Sequence, residues 1–429
     1  MRCQCAGLDT RVGPGAVAVT RPATRPFWLE DAPYQDFRSA PELPERAEVL
    51  VIGGGFTGVS AAYWLAREGI AAVVVERRGL SGGATGRNGG HISPGTAERF
   101  SEARKRWGER VARAIWEYSH RSTEAVKAFV AEHRVDCELR FGGSVSLALH
   151  ADEVAQVEET AAALAEMGAP AELWDAATCA ERTGSPDFLA GVRRGTGGQL
   201  WPARLVFAIA EQALSRGAAV HALTEVRAIE RSGGRFTVRT DRGDVSAARI
   251  LHATNAWAPR LLPALRGVIV PVRGQVIITA PAPPLWTFGL STNYGFEYWM
   301  QRPDGRVVLG GMRWLTPSQE VGADDDGLVD PTVSAGLRGF LPGHFPALRG
   351  VAVEQEWTGI MGFTPDRAPL IGPMPGSPGE FVAAGFHGHG MPMAFLAGKA
   401  AAEMIAGHEP ETFVPEAFSP TRPGLTLSR

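Results

Sequence analysis

The chain has 429 residues, 45% hydrophobic and 21% charged, with a formal net charge of −3. That is ordinary for a globular protein with enough chain for two or three domains' worth of core, and it speaks against a nucleic-acid partner. No apolar run reaches the length of a membrane span, and the four cysteines (Cys3, Cys5, Cys137, Cys179) have neither zinc-finger spacing nor a credible disulfide pattern; no metal site is expected, and a reducing, cytoplasmic setting is.

Residues 1 to about 26 have no apolar signal-peptide core. Arg-containing and poor in acids, they read as a tail or an overlong start, with a weaker transit-peptide reading. Pro26 to Glu45, rich in Pro and aromatics, reads as an arm over the body. Val49 to Ile52 is a buried parallel strand by its continuous apolar character. It runs into Gly53-Gly54-Gly55-Phe56-Thr57-Gly58, a G-x-G-x-x-G, then a helical segment stopped at Gly69, then a second strand, Ala72 to Val75, ending in Glu76. Strand, glycine turn, helix, strand and acid in that order form a dinucleotide-binding unit. Gly53 permits the turn, Gly55 lets the backbone approach a pyrophosphate, Gly58 lets helix pack on strand, and the helix N-terminus offers N–H groups to the phosphates. Glu76 is placed to accept from a ribose diol. Arg77 and Arg78 are available to a 2′-phosphate, but Glu76 would repel it.

Further on, Glu102 to His133 carries apolar residues at helical spacing, Ser144 to Leu149 reads as a strand and Ala151 to Met167 as a helix. Gln199-Leu200-Trp201-Pro202 leads into a helix ending near Gly217. Ala219 to Glu230 is strand-like, a hairpin turns at Asp241-Arg242-Gly243, and Ala248 to Ala253 is an apolar strand. Residues 268–280 and 296–312 alternate as antiparallel strands about Pro303-Asp304-Gly305. Phe381 to Gly385 and a helix from about Met393 to Ile405 restore α/β character. The expected fold is therefore α/β (α+β overall): a Rossmann-like dinucleotide domain, discontinuous over 47–100, 190–266 and 350–410, with a mostly antiparallel substrate domain inserted as 101–189 and 267–349. Residues 1–46 form the extension and arm, and 411–429 a C-terminal tail.

Four more segments carry chemistry. Gly83-Ala84-Thr85-Gly86-Arg87-Asn88-Gly89-Gly90-His91 is a flexible loop able to approach a flat ring. Ala253-Thr254-Asn255-Ala256-Trp257 caps a strand, Glu356 to Asp366 is an aromatic and glycine loop, and Gly385-Phe386-His387-Gly388-His389-Gly390-Met391 precedes the last helix, whose N-terminus can face an anionic ring. Together with GGQLWPARL (Gly197 to Leu205) and YWMQRPDGRVVLGGM (Tyr298 to Met312), these segments resemble the D-amino-acid-oxidase superfamily of FAD-dependent oxidoreductases, and within it the γ-glutamylputrescine oxidoreductase-like branch, over roughly residues 30 to 410.

The resemblance implies FAD as cofactor, with Gly53, Gly55, Phe56, Thr57 and Gly58 at its pyrophosphate and Glu76 at its ribose. Val226 would touch adenine, Arg87, Asn88, Gly89, Gly90 and His91 would border the isoalloxazine, and Gly362, Gly388, His389, Gly390 and Met391 would line its N1–O2 edge. It implies oxidation of a C–N bond in an amine or amino acid: hydride passes to flavin N5, the imine is hydrolysed, and O2 or another redox acceptor reoxidises the cofactor. Tyr298, His387 and His389 are the candidate catalytic residues, the two histidines as a source of positive charge. Tyr298, Trp299, Trp357, Phe363 and Met391 are expected to form the substrate pocket, and Arg273, Arg302 and Arg313 are candidates for a carboxylate.

Three departures from the family matter. Some relatives attach FAD through a cysteine in the segment matching residues 357–365; here Gly359 lies near that position, so FAD is expected to be non-covalent. A lysine that holds the substrate carboxylate in sarcosine oxidases is replaced by Met391-Pro392. A lysine that promotes reaction with O2 is missing from Val308-Leu309-Gly310-Gly311. An amine is therefore favoured over a D-amino acid or N-methyl amino acid. Rival readings are an NAD(P)-dependent dehydrogenase, against which GRNGGH and GHG tell, and a non-catalytic FAD-binding protein.

Overall fold

The computed structural model describes residues 21–22, 25–30, 37, 39–169, 171–411 and 413–427. The tail reading of the N-terminus, Cys3 and Cys5 lie outside them. Two eight-stranded sheets organise the rest.

The first sheet is built on the dinucleotide unit. Arg46–Ile52 pairs in parallel with Ala72–Val75, which pairs in parallel with Ala219–His221. On its other side Arg46–Ile52 meets Gly243–His252, from Ser246↔Arg46 to His252↔Ile52. That long strand is shared: its first half closes an antiparallel meander with Val226–Ser232 and Arg235–Thr240, and its end pairs in parallel with Glu380–Ala384. The central strands are buried on both faces (Val49, Leu50, Val51 and Val74 have no exposure), which explains their unbroken apolar runs. The helix Phe56–Arg67 lies against Pro202–Leu214 and Ala394–Ala406. The second of these contacts needs Gly398, where a Cβ would stand 2.6 Å from the Ala61 nitrogen.

The second sheet runs Val353–Phe363, Val270–Thr279, Val307–Gly310, Glu297–Gln301, Gly289–Thr292, Ser144–Ala148, Ala190–Arg194, Ala171–Asp175. All its pairs are antiparallel except Gly289–Thr292 with Ser144–Ala148. Ala190–Arg194 and Val353–Phe363 thus join this sheet and not the nucleotide domain to which their sequence ranges were allotted. The reason is register: Val353–Phe363 pairs with Val270–Thr279 along its whole length, Val270↔Phe363 to Thr279↔Val353. Linear segmentation cannot anticipate a long-range antiparallel pairing.

The helix expected over 102–133 spans Phe100–His133, but Gly108 (φ 75°, ψ 161°) interrupts its helical geometry. The aromatic arm packs as expected where it is described. Trp28 and Leu29 have no exposure, Trp28 meets Trp201 edge-on at 5.5 Å, and the Trp201 indole N–H donates to the Trp28 carbonyl at 2.8 Å.

Candidate active site

A cleft of ≈ 2040 Å³ is lined by residues of both sheets. Pockets for drug-sized ligands run roughly 300–1,000 Å³, so this one has room for a dinucleotide and a substrate together.

At one end the glycine turn behaves as its sequence requires. Gly53 (φ 111°) abuts the Ala253 carbonyl, which a Cβ would approach to 2.7 Å, and a Cβ on Gly58 would stand 2.0 Å from the Gly53 oxygen. Gly53, Gly55, Phe56 and Thr57 line the cleft; Gly58 lies behind them as the packing contact. The Phe56 N–H is taken by Thr85 Oγ1 at 3.1 Å, which joins the helix start to the loop carrying Arg87. Glu76 lines the same end, and its carboxylate already accepts the N–H groups of Gly54 and Arg78, each at 2.8 Å. Val226 lines this end too.

The segment 83–91 crosses the cleft floor, and its side chains hold its own backbone. Asn88 Nδ2 donates to the Thr85 carbonyl (2.7 Å) and its Oδ1 accepts the Gly90 N–H (2.8 Å). The indole N–H groups of Trp28 and Trp357 donate to the carbonyls of Asn88 (2.7 Å) and Arg87 (3.0 Å). Arg87 donates to the carbonyls of Gly82 (3.0 Å) and Thr358 (2.9 Å) and lies 3.4 Å from Asp326, which also takes both terminal nitrogens of Arg78 at 2.7 Å. Arg87 thus ties this segment to the Gly82 turn and to the strand Val353–Phe363 of the second sheet. Arg87, Asn88, Gly89 and His91 face the cleft; Gly90 (φ 77°) does not, its missing side chain making room for Met300 and the Leu200 carbonyl.

The opposite wall joins Tyr298, His91 and the turn 385–391. The Tyr298 ring lies in space left by two glycines: a Cβ on Gly89 or on Gly310 would stand 2.5 Å from it. It meets His91 edge-on at 5.8 Å. Burial pushes its hydroxyl up to about 12, so it stays protonated. Burial pushes His91 and His389 down to about 4, and both Nε2 atoms are enclosed without a hydrogen-bond partner. His387, pushed to about 3 by burial and then by Arg367, stacks on Phe363 at 3.9 Å and accepts the Thr364 N–H on Nδ1 at 3.3 Å. Burial thus disfavours the charged form of all three imidazoles.

Gly388, His389, Gly390 and Met391 line the cleft, as do Tyr298, His387 and Phe363. Gly362 does not; it packs on Asn255, and its carbonyl accepts the His387 N–H at 2.8 Å. Trp299 and Trp357 also do not, being fully buried in separate cores. Strand alternation turns Trp299 away from the face that Tyr298 occupies. Arg302 lies outside the cleft, paired with Glu138 and Asp304, and Arg273 lines it but is paired with Glu320. Arg313 lines it over the rings of Phe296 (4.5 Å) and Phe363 (5.4 Å). Among the described residues no cysteine or lysine lines the cleft, and no group of acids, histidines and cysteines could hold a metal. Thr85 and Asn255 lie in the segments the sequence singles out, but their hydrogen bonds, Asn255 Oδ1 accepting the Gly385 N–H at 3.0 Å among them, are not readable from it, and Arg194 carried no signal at all.

A dinucleotide fits these residues: a glycine cradle a Cβ would fill, an acid oriented at the strand end, and a ring-sized floor whose backbone is pinned from behind. Comparison with known proteins agrees. The family described as DAO, FAD dependent oxidoreductase, matches residues 48–404. The chain is 29% identical over 396 residues to a probable oxidoreductase OrdL of Rhizobium meliloti (90% of this chain, 89% of that one). It is 28% identical over 370 residues to γ-glutamylputrescine oxidoreductase of Escherichia coli (84% of each). In structure it is similar to glycine oxidase from Geobacillus kaustophilus, with a TM-score of 0.76 at 21% identity over 88% of this chain and 99% of that one. With sequence, cleft and fold in agreement, the chain belongs to the DAO family of FAD-dependent oxidoreductases.

Proposed function

We propose that the protein holds FAD non-covalently along the cleft and oxidises the C–N bond of an amine whose nitrogen sits on a CH or CH2 carbon. The observation that carries this is one cleft lined both by the glycine turn Gly53–Thr57 and by a largely uncharged wall of Tyr298, Phe363, His389 and Met391, where burial disfavours the charged forms of His389 and Tyr298. Such a wall favours the uncharged amine, the form able to give up hydride from carbon.

The first-turn backbone of Gly55 to Thr57 holds the pyrophosphate, Glu76 the ribose, and Val226 the adenine. The backbone of Arg87 to His91 and of Gly388 to Met391 borders the flavin ring. FAD, when bound, supplies the two-electron acceptor. The protein's part is to orient the amine and exclude water. The Tyr298 hydroxyl donates to the substrate, the His389 ring closes the wall beside it, and His387 fixes the turn that carries His389. Cys137 and Cys179 are free and buried, which supports a reducing, cytoplasmic setting. The similarity to γ-glutamylputrescine oxidoreductase supports an amine substrate.

The test is an anaerobic panel of amines and amino acids read by loss of oxidised-flavin absorbance, a readout independent of the acceptor. Amines should bleach the flavin. A holoenzyme that no member reduces would remove the C–N reading and leave a flavin-binding protein without this activity.

A further inference from the structure

One side chain joins three parts of the cleft and has no share in the chemistry proposed above. The strand Gly243–His252 ends beside the glycine turn, where the Ala253 N–H donates to the Ile52 carbonyl at 2.9 Å. Two residues later Asn255 takes a left-handed backbone (φ 45°), which asparagine tolerates better than most residues with a side chain. Its Oδ1 accepts the Gly385 N–H at 3.0 Å and, less closely, the Phe386 N–H at 3.4 Å. From the other sheet, Gly362 packs so tightly that a Cβ would lie 2.9 Å from the same oxygen and 3.1 Å from the Ala256 nitrogen.

The turn beyond Gly385 needs such support. His387 sits in the left-handed region (φ 49°) with a full side chain, and a backbone of that kind persists only where its surroundings over-determine it. From outside, the turn is held by Asn255 Oδ1 at its start and by the Gly362 carbonyl, which accepts the His387 N–H at 2.8 Å. From inside, the His389 N–H closes on the Phe386 carbonyl at 2.8 Å. The next residues, Gly388 to Met391, line the cleft. The path of that lining is therefore set, one residue after another, from the oxygen of Asn255.

We propose that Asn255 is a positioning residue for the flavin: its carboxamide fixes the turn 385–391 and thereby the backbone that borders the ring. The inference rests on that turn bordering the flavin and deepens that reading. The consequence is electronic. Taking up two electrons and one proton leaves one negative charge on the ring, and N–H groups already aimed at it stabilise the reduced form more than the oxidised one. A turn free to shift aims them less well. Losing the Asn255 amide therefore weakens the hold on reduced flavin more than on oxidised flavin, and the reduction potential falls.

The experiment compares the FAD-loaded enzyme with three variants. N255G keeps the left-handed backbone and removes the amide. N255D keeps an acceptor for the Gly385 N–H. G362A brings a methyl from the other sheet to 2.9 Å from Asn255 Oδ1. Hydrogen exchange over residues 385–391 reports the turn, in apoprotein and holoenzyme, and a dye-coupled reductive titration reports the potential. In N255G and G362A the turn should exchange on the order of 10-fold faster, the worth of one hydrogen bond, with the helix Phe56–Arg67 unchanged. Their preference for reduced over oxidised flavin should fall by about 10-fold, which for a two-electron couple is about 30 mV. N255D should keep the wild-type exchange. Where N255G fails to load FAD, G362A carries both measurements. Wild-type exchange at 385–391 without the amide would overturn the proposal. So would faster exchange at an unmoved potential, the result a merely structural role predicts. If holoenzyme and apoprotein of the wild type exchange alike at 385–391, the turn does not border the flavin, and the underlying reading fails instead.

Discussion

Replacing Glu76 by Ala should weaken FAD binding and also loosen the empty site. The carboxylate accepts two backbone N–H groups, from Gly54 and Arg78, each at 2.8 Å. A carboxylate has about four acceptor positions, so two remain for a ribose diol. Hydrogen bonds to a charged group contribute about 1.5–3 kcal/mol net. With water partly replacing what the diol loses, the same range is a fair figure for the pair, or roughly a 10- to 100-fold rise in Kd. Removing the carboxylate also leaves the Gly54 and Arg78 N–H groups without their acceptor, which lowers the stability of the apoprotein. Glu76→Gln is no remedy, because its NH2 group would face one of those two donors. The assay is quenching of flavin fluorescence by apoprotein, with the apoprotein melting temperature beside it. Wild-type affinity for FAD in Glu76→Ala would refute the assignment. A lower melting temperature at unchanged Kd would reduce Glu76 to a buttress of the glycine turn.

Acid precipitation should release all the flavin to the supernatant, since no cysteine lines the cleft among the described residues; flavin in the pellet would point to an attachment through another residue, His91 first. Gly58→Ala places a methyl 2.0 Å from the Gly53 carbonyl, so helix and turn must separate; a loss of about 1–3 kcal/mol and lower flavin occupancy are expected, and a variant matching the wild type in both would contradict the packing role. Glu297, away from the cleft, is pushed by burial from 4.5 to about 7 even though Trp314 donates to it at 2.6 Å. Its native state holds a proton that the unfolded state releases, so stability falls as pH rises from 4.5 to 7; Glu297→Gln should therefore raise stability at pH 8, by at most about 3 kcal/mol, and do little at pH 4.5, as denaturant titrations at the two pH values would measure.

The nucleotide unit was legible because its signals are local. An apolar run, three glycines with distinct steric duties and an acid one strand later all fall between Val49 and Glu76, and no distant contact is needed to interpret them. The antiparallel strands were legible as strands for the same reason. Their allocation to sheets was not. Val353–Phe363 reads as a strand wherever it is put, and only its partner Val270–Thr279 decides which sheet owns it. The pocket suffered from a finer form of the same limit. Tyr298 and Trp299 are adjacent and both aromatic, and which faces the cleft depends on register, not on residue type.

Charge state is further still from the sequence. His387 and His389 flank a glycine beside the expected flavin edge, and an unperturbed imidazole there would be partly charged near pH 7. Burial disfavours that charge, pushing the two rings down to about 3 and about 4, and each unit of pKa is about 1.4 kcal/mol of preference for the neutral ring. A guanidinium under comparable burial behaves otherwise. Arg194 is pushed down to about 10 and still carries its charge at every physiological pH. Arginine keeps its charge there because its ordinary value leaves margin for desolvation, and histidine's leaves none. The positive charge falls to a residue that neither periodicity nor motif distinguished from the thirty-nine other arginines of the chain.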